Sequence, residues 1–339
     1  MFATMHSATA RGRARLLATV LIAFLVSAAT ARDADIQIGG KAVTVTFESV
    51  ELRNGEVTGT LELAYAPGSV ERHPVILMLG SLKEGELPPW STGLVAEGYM
   101  LAAFKFFHPP DPDPARRSVW LAFDEGFAHG YALNDSLVPD DATKAIDYLV
   151  SRADVNGAKI GWMGSSSTGI PGLAVITREK RIAAIVAFVS TGAHEMWLDS
   201  WTTHGLWRGK STGLWPETRA LLREHDPIHH VDKVWPTAVL MVSGGNDKVV
   251  DPATAQAFVD AVAPYYKDDP ERLRLVIYHA FTHNLPADVV RMYTENWFHL
   301  YMHPTNDAPA PPGAPRTMDE SVSRTQINAE SHKGVVTGK

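Results

Sequence analysis

The sequence predicts a single α/β domain built on a mostly parallel sheet of about eight strands. Short apolar runs recur along the chain and alternate with segments of helical periodicity. Strands that alternate with helices in this way form parallel sheets with helices on both faces. The 339 residues suffice for one large domain of this type, and 45% hydrophobic and 20% charged residues are usual in a globular protein.

The first predicted strands form an antiparallel hairpin. Residues 42–52 and 57–65 alternate polar with β-branched or aromatic side chains, and Asn54-Gly55 between them is a preferred turn dipeptide. The continuous apolar run at 74–79 indicates a strand that is buried on both faces. Similar runs predict further strands at 100–104, 160–163, 182–189, 238–242 and 273–278. Helices are expected between them, including 140–152, 252–262 and 288–302.

Residues 1–31 have the three parts of a secretory signal peptide. Three arginines within residues 11–15 precede an apolar run at 16–26, and residues 29–31 form an Ala-x-Ala cleavage pattern. A membrane anchor is the alternative, but the run is shorter than the roughly 20 residues that a spanning helix needs. We therefore expect cleavage after Ala31, a periplasmic or secreted protein with no stable membrane span, and a globular domain over residues 32–303.

Charge and cysteine content exclude several classes of function. The net charge of −7 becomes −10 when the three arginines leave with the signal peptide, which argues against a nucleic-acid partner. The chain has no cysteine, so it has no thiol nucleophile, disulfide framework or thiolate metal site. The histidines at 225, 229 and 230 surround a helix-breaking proline, and His299 and His303 show no third ligand, so we expect no metal.

Two segments depart from the alternation of strands and helices. Residues 194–216 follow a predicted strand, at a point where a cap or lid can be inserted, and they contain Trp197, Trp201, Trp207 and Trp215. These rings either fill a secondary core or line a substrate pocket, and the pocket is the hypothesis for the first three. Residues 304–339 are rich in Pro, Ser, Thr and charge, which predicts a disordered tail.

A serine-rich turn follows the predicted strand at 160–163. The segment Gly164-Ser-Ser-Ser-Thr-Gly169 leads into a helical stretch, and a serine at the apex of a strand–turn–helix unit is typical of a G-x-S-x-G nucleophile. Counting from Gly164 makes Ser166 the nucleophile, with Thr168 in place of the second glycine. A shifted frame makes Ser167 the nucleophile, but the register of the strand favours Ser166.

A serine nucleophile needs a histidine to accept its proton and an acid to orient that histidine. Asp247 follows the strand at 238–242 and a pair of glycines, and His283 follows the last predicted strand. Asp251 is the alternative acid, although it stands where a cap for the next helix is expected. His279 is the alternative base, although it ends its strand and is expected to be structural. The order Ser166, Asp247, His283 is the favoured reading.

In these motifs and their order, the chain resembles α/β-hydrolases of the dienelactone hydrolase-like group and the catalytic domains of prolyl oligopeptidase-like esterases. The resemblance runs from about residue 43 to residue 302 and rests on Gly80-Ser81, the serine turn, Gly244-Gly-Asn-Asp247 and Thr282-His283-Asn284. It implies the α/β-hydrolase fold. It also implies an oxyanion hole formed by the backbone N–H of Ser167 and that of Ser81 or Leu82, with Ser81 preferred.

We therefore expect an exported serine hydrolase that cleaves a small-molecule carboxylic ester through an acyl-enzyme, with no cofactor and no metal. A peptidase, thioesterase or acyltransferase using the same three residues is the alternative among enzymes. A non-catalytic binding protein on a hydrolase scaffold is the alternative from another class. The motifs are specific for the fold, and not for a substrate or an oligomeric state.

Overall fold

The computed structural model describes residues 30–114, 124–203 and 213–304, which form a mostly parallel sheet covered by helices. The strands are Thr30–Ile38 (β1), Lys41–Asn54 (β2), Val57–Tyr65 (β3), His73–Leu79 (β4), Met100–Phe106 (β5), Val155–Ser165 (β6), Ile182–Phe188 (β7), Ala238–Gly244 (β8) and Leu273–Tyr278 (β9). They form one nine-stranded sheet in the order β1-β2-β3-β5-β4-β6-β7-β8-β9. The first three strands are antiparallel, and β5, β4 and β6 to β9 run parallel to one another.

Helices cover both faces of this sheet. They are Thr92–Ala96 (α1), Glu125–Ser151 (α2), Ile170–Arg178 (α3), His194–Thr203 (α4), Pro216–His225 (α5), Pro252–Val262 (α6) and Ala287–Met302 (α7). Side chains of α2, α3 and α6 share one apolar core with the sheet, and side chains of α1 and α7 share a second core on its other face. The expected α/β-hydrolase architecture is confirmed.

The apolar run of β4 shows why the central strands carry no polar alternation. Val75 and Leu77 enter one core, Ile76 enters the other, and all three are fully buried. Each such side chain contributes about 1.5–3 kcal/mol relative to exposure to water. Because both faces are covered by helices, every position of the strand gains from an apolar residue.

The described residues contain one strand more than the sequence predicts. Strand β1 was missed because its residues are mostly exposed and include Arg32, Asp33 and Asp35, so no apolar alternation marks it. It lies at the edge of the sheet, where only one neighbour, β2, supplies hydrogen bonds. The next hairpin turn also differs by one residue: Asn54 pairs with Val57, so Gly55-Glu56 forms the turn and Asn54 ends the strand.

The predicted signal cleavage point after Ala31 falls inside β1, whose first two residues pair with Ser49 and Glu48. Residues 1–29 and 305–339 lie outside the described residues, so the signal peptide and the disordered tail stay predictions. Within the described ranges, no helix combines the length and apolar character needed to cross a membrane.

The longest helix, α2, begins earlier than predicted. It starts at Glu125 rather than near residue 140 and continues through Pro139. The side chain of Asp124 accepts a hydrogen bond from the amide of Phe127 at 3.0 Å and so caps the first turn. Proline inside a helix removes one hydrogen bond, and this is why the sequence pattern suggested a helix that begins only after it.

The strand order places a crevice at the carboxyl ends of β4 and β6. From β4 the chain passes to β5 on one side, and it later returns to β6 on the other side of β4. At such a reversal the two connections diverge, and ligands of open α/β sheets bind in the gap that this leaves. The Gly80 loop follows β4 and the serine turn follows β6, so both lie at this crevice.

Candidate active site

The serine turn holds Ser166 in a backbone conformation that residues other than glycine rarely adopt. Strand β6 ends at Ser165, residues Ser166–Thr168 form one 3₁₀ turn, and α3 follows. Ser166 has φ of 51°, in the left-handed region. Such a conformation costs roughly 1–3 kcal/mol outside glycine and persists only where the surroundings enforce it. The strained residue is thus the one at the apex of the strand–turn–helix unit.

Two glycines and one threonine make this turn possible. A Cβ added to Gly164 would lie 2.4 Å from the carbonyl oxygen of Thr168, and one added to Gly169 would lie 2.2 Å from Oγ of Ser190. The hydroxyl of Thr168 accepts a hydrogen bond from the Ser165 amide at 2.9 Å and donates to the Ser165 carbonyl at 3.0 Å. Positions 164 and 169 therefore have no room for a side chain and require glycine. Position 168 has room for one, and the hydroxyl of Thr168 closes the turn by its two hydrogen bonds to Ser165.

Asp247 is fixed by the backbone of its own turn. Its carboxylate oxygen Oδ1 accepts hydrogen bonds from the amides of Val249 at 2.8 Å and Val250 at 3.0 Å. The other oxygen, Oδ2, lies 2.8 Å from Nδ1 of His283. The Asp247 side chain is fully buried, which strengthens these charge-assisted contacts because water does not compete for the carboxylate.

The loop that carries His283 packs directly on the Asp247 turn. The amide of Gly245 donates to the carbonyl of Tyr278 at 2.8 Å, and the amide of Asn246 donates to the carbonyl of Phe281 at 2.9 Å. A Cβ on Gly244 would lie 2.0 Å from the carbonyl oxygen of Thr282, so only glycine fits there. The two glycines that precede Asp247 therefore let the loop that carries His283 pack closely against the Asp247 turn.

His283 joins the two other residues of the predicted triad. Its Nε2 lies 2.9 Å from Oγ of Ser166, and its Nδ1 faces Asp247. A hydrogen atom on Nδ1 is needed to donate to the carboxylate, which leaves the Nε2 lone pair directed at the serine hydroxyl. The side chain of His283 is 26% exposed, so solvent reaches the site. The structure thus brings Ser166, His283 and Asp247 into one hydrogen-bonded chain.

The two predicted oxyanion donors belong to loops at the same crevice. The amide of Ser167 lies in the first turn after the strained serine, where helix amides have no intrahelical acceptor. In the loop after β4, the amide of Leu82 donates to the carboxylate of Glu62 on β3. The Leu82 amide is therefore already hydrogen-bonded to Glu62. The amide of the exposed residue Ser81 is the remaining candidate for the second oxyanion donor.

An aromatic cluster lies beside the serine turn. Its members are Phe127, Tyr131, Trp197 and Trp201, with ring centroids 4.9–5.2 Å apart. Burial raises the pKa of the Tyr131 phenol, and a hydrogen bond with the Ser167 hydroxyl opposes that rise. The exposed fractions of Trp197 and Trp201 are 1% and 0%, so in this structure both fill a core and neither lines an open pocket. Trp207 lies outside the described residues.

The alternatives that the sequence left open have other partners. Asp251 accepts a hydrogen bond from the amide of Ala253 at 2.9 Å and caps α6. His279 is exposed, and its carbonyl accepts the side-chain amide of Asn246 at 2.5 Å. His230 lies 2.6 Å from the carbonyl of Glu224, and His299 lies 2.5 Å from the carboxylate of Glu97. Among the described residues, no group of three or more potential ligands is arranged to hold a metal ion.

Three further residues shape the site, and the sequence analysis gave none of them a role. Tyr131 contacts Ser167 from within a long helix, Asn246 ties the acid turn to the histidine loop, and Trp162 donates its indole N–H to the carbonyl of Thr168 at 3.2 Å. Asn246 was signalled by its place next to Asp247. The other two carry no local signal, because their roles depend on which way a buried ring points.

Comparisons with known proteins indicate the family of the chain. A family model described as the prolyl oligopeptidase family matches residues 124–300, just over half of the chain. The protein YitV of Bacillus subtilis (strain 168), named provisionally as an esterase, is 26% identical over 153 residues. That match covers 44% of this chain and 59% of YitV, so the chain spans less than two thirds of the length of this relative.

Two solved structures share the fold at low sequence identity. Acetyl xylan esterase 1 from Thermoanaerobacterium sp. JW/SL YS485 has a TM-score of 0.56 at 14% identity, with 80% of this chain and 88% of that chain covered. The acylaminoacyl peptidase of Pyrococcus horikoshii has a TM-score of 0.52 at 13% identity, with 75% of this chain and 48% of that chain covered. The match over residues 124–300 shows that the chain belongs to the prolyl oligopeptidase family, and its sheet has the α/β-hydrolase architecture.

Proposed function

We propose that this serine hydrolase cleaves carboxylic esters, with Ser166 as nucleophile, His283 as general base and Asp247 as the acid that orients the histidine. The observation that carries the proposal is the pair of hydrogen bonds of His283, at 2.8 Å to Asp247 and 2.9 Å to Ser166. A serine hydroxyl is a weak nucleophile alone, and an adjacent base makes it reactive as it loses its proton.

The reaction follows from the two hydrogen bonds of His283. Oγ of Ser166 bonds to the ester carbonyl carbon while its proton passes to Nε2 of His283, and negative charge develops on the carbonyl oxygen. The amides of Ser167 and Ser81 are the proposed donors to that oxygen. His283 then protonates the departing alkoxide as the carbon–oxygen bond breaks, leaving an acyl group on Ser166. Water, deprotonated by His283, then attacks this acyl group. The bond between the acyl carbon and Oγ of Ser166 breaks, the proton passes from His283 to Oγ, and the acid is released.

Family membership makes peptide-bond cleavage the second candidate. The names of the similar proteins favour the ester. The relative YitV is named provisionally as an esterase, and the acetyl xylan esterase structure is covered to 88% of its length. An ester also has a better leaving group than an amide, so the same triad cleaves it over a lower barrier.

The test compares ester and peptide substrates on purified protein. We expect hydrolysis of p-nitrophenyl acetate and butyrate, slower or absent hydrolysis of aminoacyl-p-nitroanilides, and covalent labelling by a fluorophosphonate. Ser166→Ala is expected to lose labelling and to lower ester turnover at least roughly 1,000-fold. Ser167→Ala, which keeps the backbone amide, is the matched control and is expected to retain labelling. Full activity in Ser166→Ala would refute the assignment.

We also propose that the enzyme is exported after removal of residues 1–31. The proposal rests on the arginine cluster, the apolar run and the Ala-x-Ala pattern of the sequence. The mass and N-terminal sequence of protein recovered from the periplasm or medium test it directly, and a mature chain beginning at Arg32 is expected. Retention of residues 1–31 in the purified protein would contradict it.

A further inference from the structure

The carbonyl of Val249 accepts hydrogen bonds from two tryptophans. The indole Nε1 of Trp197 lies 2.7 Å from this oxygen, and that of Trp201 lies 3.1 Å from it. Both rings come from α4, are buried, and pack edge to face with centroids 4.9 Å apart. A carbonyl oxygen has two lone pairs, so this one acceptor satisfies both indole donors in an apolar setting where an unpaired N–H is costly.

The same peptide segment holds Asp247. The amide of Val249 donates to Oδ1 of Asp247 at 2.8 Å, and the amide of Val250 donates to it at 3.0 Å. The neighbouring side chains of Asn246 and Lys248 are exposed, so solvent borders the turn on that side. The position of the carboxylate therefore depends on how firmly residues 249 and 250 are held, and the two indoles are bonded to residue 249 itself.

We propose that Trp197 and Trp201 are positioning residues, which orient Asp247 toward His283 by fixing the Val249 peptide. The inference rests on the proposed function, because it assigns a task within the same triad. It also gives the tryptophan-rich segment a role that differs from pocket lining: α4 is connected to the catalytic acid through the backbone of one residue. The indole N–H, rather than the apolar ring, carries this role.

The expected effect is a loss of turnover without a loss of binding. Trp197→Phe and Trp201→Phe keep an aromatic ring in the cluster and remove the donor. We expect the double variant to lower kcat roughly 10- to 100-fold with KM changed less than about twofold, because small displacements of a triad member cost up to about that much in rate. Trp197→Phe is expected to have the larger single effect, since its hydrogen bond is shorter.

Trp297 provides a matched control. Its ring is buried, and its Nε1 donates to the carbonyl of Ala238 at 3.2 Å. Ala238 begins β8, so this bond lies at the opposite end of the strand that leads to Asp247. Trp297→Phe thus removes one buried indole hydrogen bond to a main-chain carbonyl without touching the acid turn, and we expect its kcat to stay within about twofold of the wild type.

The experiment measures kcat, KM, the rate of fluorophosphonate labelling and thermal stability for each variant. Slower turnover and labelling in the Trp197 and Trp201 variants, at a stability equal to that of Trp297→Phe, supports the inference. Unchanged kcat and labelling, or a loss that tracks stability equally in all three variants, overturns it. Failure of the proposed function looks different, because the wild type itself would then lack Ser166-dependent labelling.

If a phenylalanine variant does not fold, the indole is replaced by the isosteric benzothiophene of 3-benzothienylalanine at the same position. This ring keeps the shape and volume of tryptophan and has sulfur in place of the N–H donor. The folded protein is then expected to show the same fall in kcat and labelling rate. Wild-type rates in a folded benzothienyl protein would show that packing alone matters and would refute the proposal.

Discussion

Two histidine–aspartate pairs in this molecule have the same chemistry and different surroundings. His283 faces Asp247 at 2.8 Å at the edge of the crevice, with 26% of the histidine side chain exposed. His194 faces Asp135 at 2.5 Å between α4 and α2, and both of these side chains are at most 2% exposed. A distance criterion alone would rank the fully buried pair as highly as the pair at the crevice.

The second ring nitrogen separates the two pairs. Nε2 of His283 faces the hydroxyl of Ser166, which can donate a proton, whereas Nε2 of His194 lies 2.9 Å from the carbonyl of Thr191, which can only accept. His194 therefore has acceptors at both nitrogens and satisfies them only as the doubly protonated cation. The hydrogen bonds of His283 leave its Nε2 lone pair facing a hydroxyl, whereas His194 faces an acceptor at each ring nitrogen and has no lone pair available.

The electrostatics of the buried pair agree with this reading. Burial by itself lowers the pKa of His194, but the carboxylates of Asp135 and Asp226 and the hydrogen bonds to the ring outweigh it and raise that pKa to about 9. Asp226 also accepts the amides of His194 and Glu195 at 3.0 Å and 2.8 Å and so caps the start of α4. The fully buried pair anchors a helix, and the pair at the crevice serves the reaction that we propose.

Replacing each of the two aspartates by asparagine is expected to give the largest difference in activity. Asp247→Asn is expected to lower kcat roughly 10,000-fold while the protein stays folded, because an amide no longer enforces the histidine orientation that serine activation needs. Asp135→Asn is expected to keep kcat within about tenfold of the wild type at a temperature where it is folded. Ester turnover and circular dichroism measure both, and equal losses of activity in the two variants would contradict the assignment of roles.

The effect on the free energy of unfolding is expected to be larger for Asp135→Asn than for Asp247→Asn, the reverse of the order for kcat. Asp135→Asn leaves the buried His194 cation without its carboxylate, and breaking such a pair costs about 3–5 kcal/mol. Urea unfolding at pH 7 measures this as a lower midpoint. Glu51→Gln is the control, because its ion pair with Arg53 lies on the surface and its loss is expected to change the free energy of unfolding by less than about 0.5 kcal/mol.

Alkaline pH is expected to lower the free energy of unfolding, because it removes the proton of His194 in the buried pair with Asp135. The pKa of His194 rises from 6.5 to about 9 on folding, so the folded state holds this proton more tightly. Its contribution to stability is complete below pH 6.5 and is lost as the pH rises through about 9. Unfolding midpoints between pH 6 and pH 10 test this, and His194→Gln is expected to show a shallower decline. An identical decline in both proteins would rule out His194 as the cause.

The smallest effect is expected at the serine turn. Thr168→Ala removes two hydrogen bonds to Ser165, which contribute about 1 kcal/mol in net terms, so we expect kcat to fall about fivefold or less. Thr168→Ser keeps the hydroxyl and is expected to restore at least half of that loss. If alanine and serine give the same rate, the hydroxyl has no part in holding the turn and the methyl group of threonine is responsible.

Much of the fold could be predicted because the buried parallel strands are continuous apolar runs, and each candidate residue of the triad follows one of them. The edge strand β1 could not, because an exposed strand carries no apolar pattern. Pairs such as His194 with Asp135, 59 residues apart, are equally hidden, since an aspartate inside a helix resembles any solvated one in the sequence. The same limit applies to the tryptophans: composition shows that rings are present, and only packing shows where each N–H points.

The spacing of the proposed triad has a consequence for folding kinetics. Ser166 and His283 are 117 residues apart, and β7, β8 and β9 must all pair before the two side chains meet. Contacts of such high sequence separation form late and slowly, because their loop-closure entropy is lost before they contribute energy. The recovery of fluorophosphonate labelling during refolding therefore reports when the last strand, β9, pairs with the sheet. The delay between the recovery of tryptophan fluorescence and the recovery of labelling measures the time that this step takes.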